Sequence, residues 1–321
     1  MAAFTLRRIL QMIPLLFGVT IITFLVINAA GSPVSSLQFD PKVKPADRER
    51  LKENLGLNEP IYTRYFVWIK NVAQGDLGDS LVNHQPVTKR ILAVLPNTLV
   101  LSISSLIFSL IVALPIGILA AIKRNSVFDR FASVGAVAGF AIPTVWLSLL
   151  LIILFSVKFS SWGLPSLPVG GVTDLRNPGG LPDRIKHLIL PVLALSLPQI
   201  AGWVVYIRSS MLEVIRQDYM RTAQAKGLET RTVMLRHGFR NAALPLVTLI
   251  GLSFPELFGG ALIIENIFAY NGMGRLTYDA VVKNDYTVIM GTTLFFAALI
   301  MLGNLIADLL YAVVDPRIRY D

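Results

Sequence analysis

Long apolar runs separated by short polar stretches dominate this chain. Six of them, Ile9–Ala30, Asn97–Ile122, Phe131–Val157, Ile185–Ile207, Ala243–Ile264 and Thr287–Val314, are long enough to cross a bilayer as helices. A hydrocarbon layer of about 30 Å needs about 20 residues at about 1.5 Å each. The pattern predicts an all-α polytopic membrane protein with six transmembrane helices. The fourth run contains Pro191 and Pro198, which lipid-embedded helices tolerate. The first follows Arg7 and Arg8 as a signal peptide would. Its apolar stretch exceeds the 7–15 residues, roughly, of a signal core, so an uncleaved helix is expected.

The polar stretches divide the chain further. Residues 1–30 form an N-terminal membrane helix, and 31–95 a segment with its own pattern. There Leu51, Leu55 and Leu57, then Tyr62, Tyr65, Phe66 and Ile69, recur at helical spacing, punctuated by Gly56 and Pro60. Two short helices are expected. Residues 96–315 make a five-helix core interrupted by a polar loop at 208–241, and 316–321 a tail. Lys158–Arg184 is rich in Gly and Pro, and Glu265–Tyr286 carries the turn signal Asn271-Gly272-Met273-Gly274. No internal repeat or low-complexity tract stands out.

Composition agrees with a membrane class: of 321 residues 54% are hydrophobic and 15% charged, against roughly 25% charged in soluble domains. No cysteine is present, which excludes disulfides, thiolate metal sites and a thiol nucleophile. The net charge of +9 invites a nucleic-acid or anionic-lipid reading, but Lys and Arg also gather in cytoplasmic loops for topological reasons. Fourteen of the 29 basic residues lie at the termini, in Lys123–Arg130 and in Arg208–Arg240. Nine of the others sit in the long 31–95 segment, which counts little, leaving six in the other outer stretches. Both termini and the 208–241 loop are therefore expected in the cytoplasm.

Catalytic chemistry is not evident. There is no G-x-x-x-x-G-K-[ST], H-E-x-x-H or G-x-S-x-G, and His84, His187 and His237 are scattered. Ser102, Ser104, Ser105 and Ser109 share the second run with no ionisable base, so interhelical packing or hydrogen bonding explains them better than nucleophilic attack. Two acids fall within runs. Glu256 lies near the middle of the fifth, where an ionisable group faces a cavity or a partner helix. It is the substrate-pathway residue expected here, with a protonated interface residue as the alternative. Asp308 shares a face with Asn304 and is read as structural.

The 208–241 loop is the most informative stretch. Arg208, Arg216, Arg221, Lys226, Arg231, Arg236 and Arg240 face three acids, giving net +4. Most are five apart, a step of about 140° beyond one turn. The charges therefore spread around a helix axis, unlike the one-sided stripe of a lipid-surface or nucleic-acid-binding helix. Met211, Ile215, Tyr219 and Ala223 instead step by four and predict a packed face. Gly227 reads as the glycine that ends this helix. A second helix is expected over about Thr230–Arg240, then Asn241 and Pro245 opening the next span. Such a helix–Gly–helix element pushed out of the membrane suits docking to a cytoplasmic partner; a plain connector would be shorter.

At this loop the sequence resembles the "EAA" loop of ABC-transporter permeases of the binding-protein-dependent import type. Arg221-Thr222-Ala223 stands for E-A-A, Gln224, Ala225 and Lys226 for the three intervening residues, Gly227 for the glycine, and Leu244-Pro245 for the later Leu-Pro. The missing Glu and the longer gap to Leu-Pro are similar to the dipeptide/oligopeptide/nickel subfamily, which favours R-T-A-x-A-K-G-L. "LGLNEPIYTRYFVWIKNVAQGDLGDSL", "LPNTLVLSISS", "ENIFAYNGMGRLTYDAVVKNDY" and "NLIADLLYAVVDPRIRYD" resemble it in order along nearly the whole chain, most of all its B-type dipeptide or oligopeptide permeases.

The resemblance implies a type I importer permease fold in a bacterial or archaeal plasma membrane. It implies a second, homologous permease, two ATPase subunits carrying ATP and Mg, and an extracytoplasmic substrate-binding protein. This chain would hold no cofactor or metal and bind no nucleic acid. Arg221, Thr222, Ala223, Gln224, Ala225, Lys226, Gly227, Leu228 and Glu229 would form the helix that couples to the ATPase. Peptides are the expected substrate, with nickel chelates or glutathione as alternatives. A membrane scaffold that anchors a cytoplasmic protein, and an ion-coupled carrier using Glu256, are the rivals from other classes.

Overall fold

The computed structural model describes residues 2–30, 58–227, 229, 232–239, 250–251, 253, 259 and 261–314. Among them there is no β-strand, only an isolated bridge between Asp79 and Pro86. Five helices are long and apolar enough to cross a membrane: Thr5–Ala29, Val87–Ile122, Thr144–Ser161, Gly180–Ile215 and Tyr286–Leu309. The fifth expected run, Ala243–Ile264, falls largely outside the described residues; those described, 250–251, 253, 259 and 261–264, are helical. Leu51, Leu55, Gly56 and Leu57 also lie outside them.

The chain divides into two compact units, one of residues 97–271 and 303–321, the other of residues 2–96 and 272–302. In the second unit, α1 (Ala2–Ala30) is apolar on all sides, as a lipid-facing helix is. Helix α2 (Ile61–Ala73) lays an aromatic face on it. Tyr65 meets Phe24 edge-on at 5.4 Å and bonds Thr20 through its hydroxyl, while Arg64 lies over the Phe24 ring at 5.9 Å. The start of α3 (Val87–Ile122) packs Val87, Ile91 and Val94 against Met273 and Leu276 of α8 (Met273–Val282) and Val288 of α9 (Tyr286–Val314). Beside this core, Asp285 accepts hydrogen bonds from Ser80 Oγ, the Leu81 amide and Arg90.

The helix α3 thus begins at Val87, ten residues before the expected Asn97. Lys89 and Arg90 had kept this turn out of the apolar run, yet Arg90 is held by Ser80 and Asp285.

In the first unit, the expected third span Phe131–Val157 is two helices. Helix α4 (Val127–Ala141) ends before Ile142, whose extended backbone (φ −82°, ψ 118°) is the one that a following proline favours. Pro143 then caps α5 (Thr144–Leu151), which continues through a π-helical Ile152–Lys158 and a last α-turn, Phe159–Ser161. The span is this second piece, Thr144–Ser161. The fourth run is one helix, α6 (Gly180–Ile215), with Pro191 and Pro198 inside it. His187 is therefore helical and buried, bonded to Asp183 one turn earlier.

Contacts along α6 are close. A Cβ on Gly139 of α4 would stand 2.9 Å from Ala201 Cβ, one on Gly202 2.9 Å from the Phe140 ring, and one on Gly117 of α3 2.8 Å from Ile207. Small residues let backbones approach where lipid gives no hydrophobic drive to associate. Further along α6, Leu190, Ala194 and Leu195 share a core with Leu101, Ala261, Ile264 and Phe268.

Candidate functional site

Helix α6 stops where Arg216 and Gln217 turn the chain, and α7 (Asp218–Ala225) begins. The expected stripe Met211–Ile215–Tyr219–Ala223 is thereby broken. Met211 and Ala223 are buried, but Tyr219 is exposed and Met220 takes its place inside. A turn inserted between two helices resets the phase, which a constant step of four cannot anticipate. Met220 and Ala223 pack on Val233 and Met234, the latter two from a π-helical Val233–Phe239 that occupies part of the expected second helix. The methyl tips of Met211 and Met220 converge on Gly238, where a Cβ would sit 3.6 and 3.3 Å from them.

The outward face of α7 carries Asp218, Thr222 and Ala225, flanked by Arg221 and Lys226, all exposed. Arg221 and Asp218 approach to 3.7 Å, both in solvent, a pair of little energetic weight. Lys226 N–H bonds the Thr222 carbonyl, and Gly227 follows at φ +73°. That is the left-handed conformation expected of a helix-ending glycine, and nothing lies within 4 Å of where its Cβ would be. Of the nine expected coupling residues, Arg221, Thr222, Ala225, Lys226, Gly227 and Glu229 are exposed and Ala223 is buried. Ala223 is thus a packing residue of its own loop. The Gln224 side chain and Leu228 lie outside the described residues, as do Asn241, Pro245 and Glu256.

An ion pair stands above this element. Ser126 caps α4 by accepting from the Asp129 amide, and the Asp129 carboxylate accepts from the Asn125 amide. These local bonds aim Asp129 at α6, where Arg208 Nε and an Nη reach its two oxygens at 2.5 and 2.9 Å. The fork matches the carboxylate on both sides. Asp129 is buried, and the Arg208 guanidinium holds its carboxyl down at about 2. No sequence pattern joins residues 79 positions apart, though the S-x-x-D cap at Ser126 was a readable helix start.

Within the apolar helices, Thr98, Ser102, Ser105 and Ser109 form one buried stripe on α3. Thr98 Oγ1 donates to Glu265 at 2.6 Å, and Ser109 Oγ to the Ser196 carbonyl. Ser104 stays partly exposed. Glu265, fully buried, had been placed only at the edge of an outer loop. Nearby, burial and then the Glu265 charge push the Tyr270 phenol up to about 12. Among the described residues no group of His, Cys, Asp and Glu could hold a metal ion.

The family model described as "Binding-protein-dependent transport system inner membrane component" matches residues 113–320, and that for its N-terminal part residues 1–104. The oligopeptide transport system permease protein AppB of Bacillus subtilis (strain 168) is 44% identical over 321 residues, covering 100% of both chains. The dipeptide transport system permease protein DppB of Escherichia coli (strain K12) is 39% identical, over 100% of this chain and 99% of that one. The glutathione transport system permease protein GsiC of Escherichia coli O6:H1 is 38% identical, over 100% of each. Among solved structures, an inward-facing MetNI methionine ABC transporter matches with a TM-score of 0.57 and 17% identity, over 70% of this chain and 96% of that one. At that identity the likeness concerns the fold alone.

Proposed function

As the chain belongs to the family of inner-membrane components of binding-protein-dependent transport systems, we propose that it is the permease subunit of an ATP-driven peptide importer. It forms half of the pathway, beside a second homologous permease. The observation that carries this reading is α7: a short helix between two turns, anchored by Met220 and Ala223, its outer face exposed and its end set by Gly227. It bears the R-T-A-Q-A-K-G stretch. Thr222, Ala225, Arg221 and Lys226 dock on an ATPase subunit, which supplies ATP and Mg. The chain itself contributes no chemistry. Both termini and this loop face the cytoplasm, and an extracytoplasmic protein delivers substrate from the other side. Glu256 lines the pathway.

The similarity to peptide permeases favours peptides over glutathione, which remains a defined second reading through GsiC. The test is uptake into proteoliposomes holding this chain, its partner permease, both ATPases and the binding protein. ATP-dependent accumulation of labelled di- to hexapeptides is expected, and glutathione uptake without peptide uptake would select the second reading. Peptide uptake that persists without this chain would sink both. Glu256→Leu should lower uptake more than the amount of assembled complex; loss of assembly alone would make Glu256 structural.

A further inference from the structure

The bidentate Asp129–Arg208 pair joins α4 to the part of α6 nearest the coupling loop. The two helices run antiparallel, since Asp129 meets Arg208 while Gly139 meets Ala201. At one end they are held by the ion pair, and at the other by backbone-close packing of Gly139 on Ala201 and Gly202 on Phe140. Below the pair, Met211 lies one turn past Arg208, and its tip shares Gly238 with Met220 of α7. An unbroken set of contacts therefore leads from α7 through Gly238 and Met211 to Arg208, then across to Asp129 and α4. Packed chains of this kind carry displacement because they shift as bodies and do not deform continuously.

The pair is more than a generic strut. Asp129 is buried, so its charge is matched by Arg208 and by the amide of Asn125. The guanidinium fork fixes both distance and orientation, which a single-point ammonium would not. The Arg208 side chain is 26% exposed, so its head can be hydrated if its partner is neutralised. The fold can therefore survive loss of the contact, because the glycine packing at the far end remains, while α4 loses its tie to the end of α6 nearest α7.

We propose that Asp129 and Arg208 are positioning residues of the transport cycle: their ion pair makes α4, α6 and α7 one moving body, so that displacement of α7 reaches α4. The proposal rests on the importer reading above. Through the pair, movement imposed on the outer face of α7 swings α4 together with α6. Without it the Asp129 end of α4 no longer follows α7, α4 keeps only its glycine packing on the far part of α6, and ATP is consumed with less substrate moved.

The experiment uses the full complex in proteoliposomes with labelled tri-alanine, or whichever peptide of the panel the wild type takes up best. ATP hydrolysis stimulated by loaded binding protein and peptide uptake are measured on the same vesicles. Asp129→Asn and Arg208→Gln should keep stimulated hydrolysis while uptake per ATP falls about tenfold, within the usual range of coupling energies. Arg208→Lys should fall between, and the exchange Asp129→Arg with Arg208→Asp should recover uptake per ATP. A purely structural pair would lower hydrolysis and uptake together, with the amount of complex, leaving their ratio at the wild-type value; that ratio overturns the proposal. If the single variants do not assemble, Arg208→Lys decides, since it keeps the charge and loses the fork, and a wild-type ratio there overturns it equally. Failure of the wild-type complex to move any peptide would be a different result, removing the importer reading itself.

Discussion

Gly227 offers a sharp test because its constraint is conformational alone. At φ +73° with nothing within 4 Å of a Cβ, a substituent meets no neighbour and only the backbone preference changes. For an ordinary L-residue the left-handed region costs about 1–2 kcal/mol, less for Asn and more for a β-branched residue. Helix α7 has little to spare. It has eight residues, too few to hold a helix unaided in water, and of its described side chains it buries only Met220 and Ala223. Burying a Met side chain contributes about 1.5–3 kcal/mol, so strain of about 1–2 kcal/mol at Gly227 removes a large part of what seats the helix. Gly227→Ala should accelerate amide exchange over Met220–Ala225 by about 5- to 30-fold, following the strain. Gly227→Asn should change it least, Gly227→Val more, and Gly227→Pro, which demands φ near −65°, most. Hydrogen exchange read by mass spectrometry on the detergent-solubilised chain measures this order. Equal rates in the Gly, Ala and Val forms would show that φ at 227 does not hold α7 in place. An Asn form as fast as the Val form would place the requirement in side-chain volume.

Three further outcomes follow from particular contacts. Ala223→Arg should unseat α7, seen as faster exchange in the isolated chain, whereas the exposed Thr222→Arg should leave exchange unchanged and lower only uptake by the assembled transporter; the reverse order would return Ala223 to the docking face. Asp129 is held at about 2, below the usual 3.8, so its contribution to stability is complete above about pH 4 and fades as pH falls towards 2. The fall in Tm of the wild type over that window should exceed that of Asp129→Asn, and identical profiles would refute the assignment. A Cβ at Gly170 would overlap the Phe268 carbonyl oxygen, which also accepts from the Gly171 amide at 2.8 Å. Gly170→Ala should therefore destabilise the fold by at least about 2 kcal/mol, read as a lowered Tm, and an unaltered Tm would show that the contact yields freely.

What could be read from the sequence was what one short window contains. The apolar runs of α1, α6 and α9 and the terminating role of Gly227 follow from local composition and backbone preference. Pro143 was visible too, but uniform apolarity across Phe131–Val157 hid the backbone requirement it places on Ile142. Hydropathy cut α3 short at Asn97 because Arg90 reads as solvent-seeking until Asp285 is beside it. The turn at Arg216–Gln217 moved the buried position from Tyr219 to Met220. Asp129 and Arg208 meet only through the antiparallel crossing of α4 and α6, and Thr98 meets Glu265 only through tertiary packing 167 positions apart, so no local period could pair them.

The π-helical stretch Ile152–Lys158 has a consequence for how this chain can vary. A π-turn holds about one residue more than an α-turn over nearly the same rise. The piece behaves as stored slack: excision of one residue there would let it tighten to an α-turn. Both Thr144–Leu151 and Phe159–Ser161 would keep their depth, and neither half of the span would need to rotate. Elsewhere along an α-helix the same deletion turns every later side chain by about 100° and exchanges its lipid-facing and packed sides. Loss of one residue is thus better tolerated between Ile152 and Lys158 than in the glycine-lined contacts of α6.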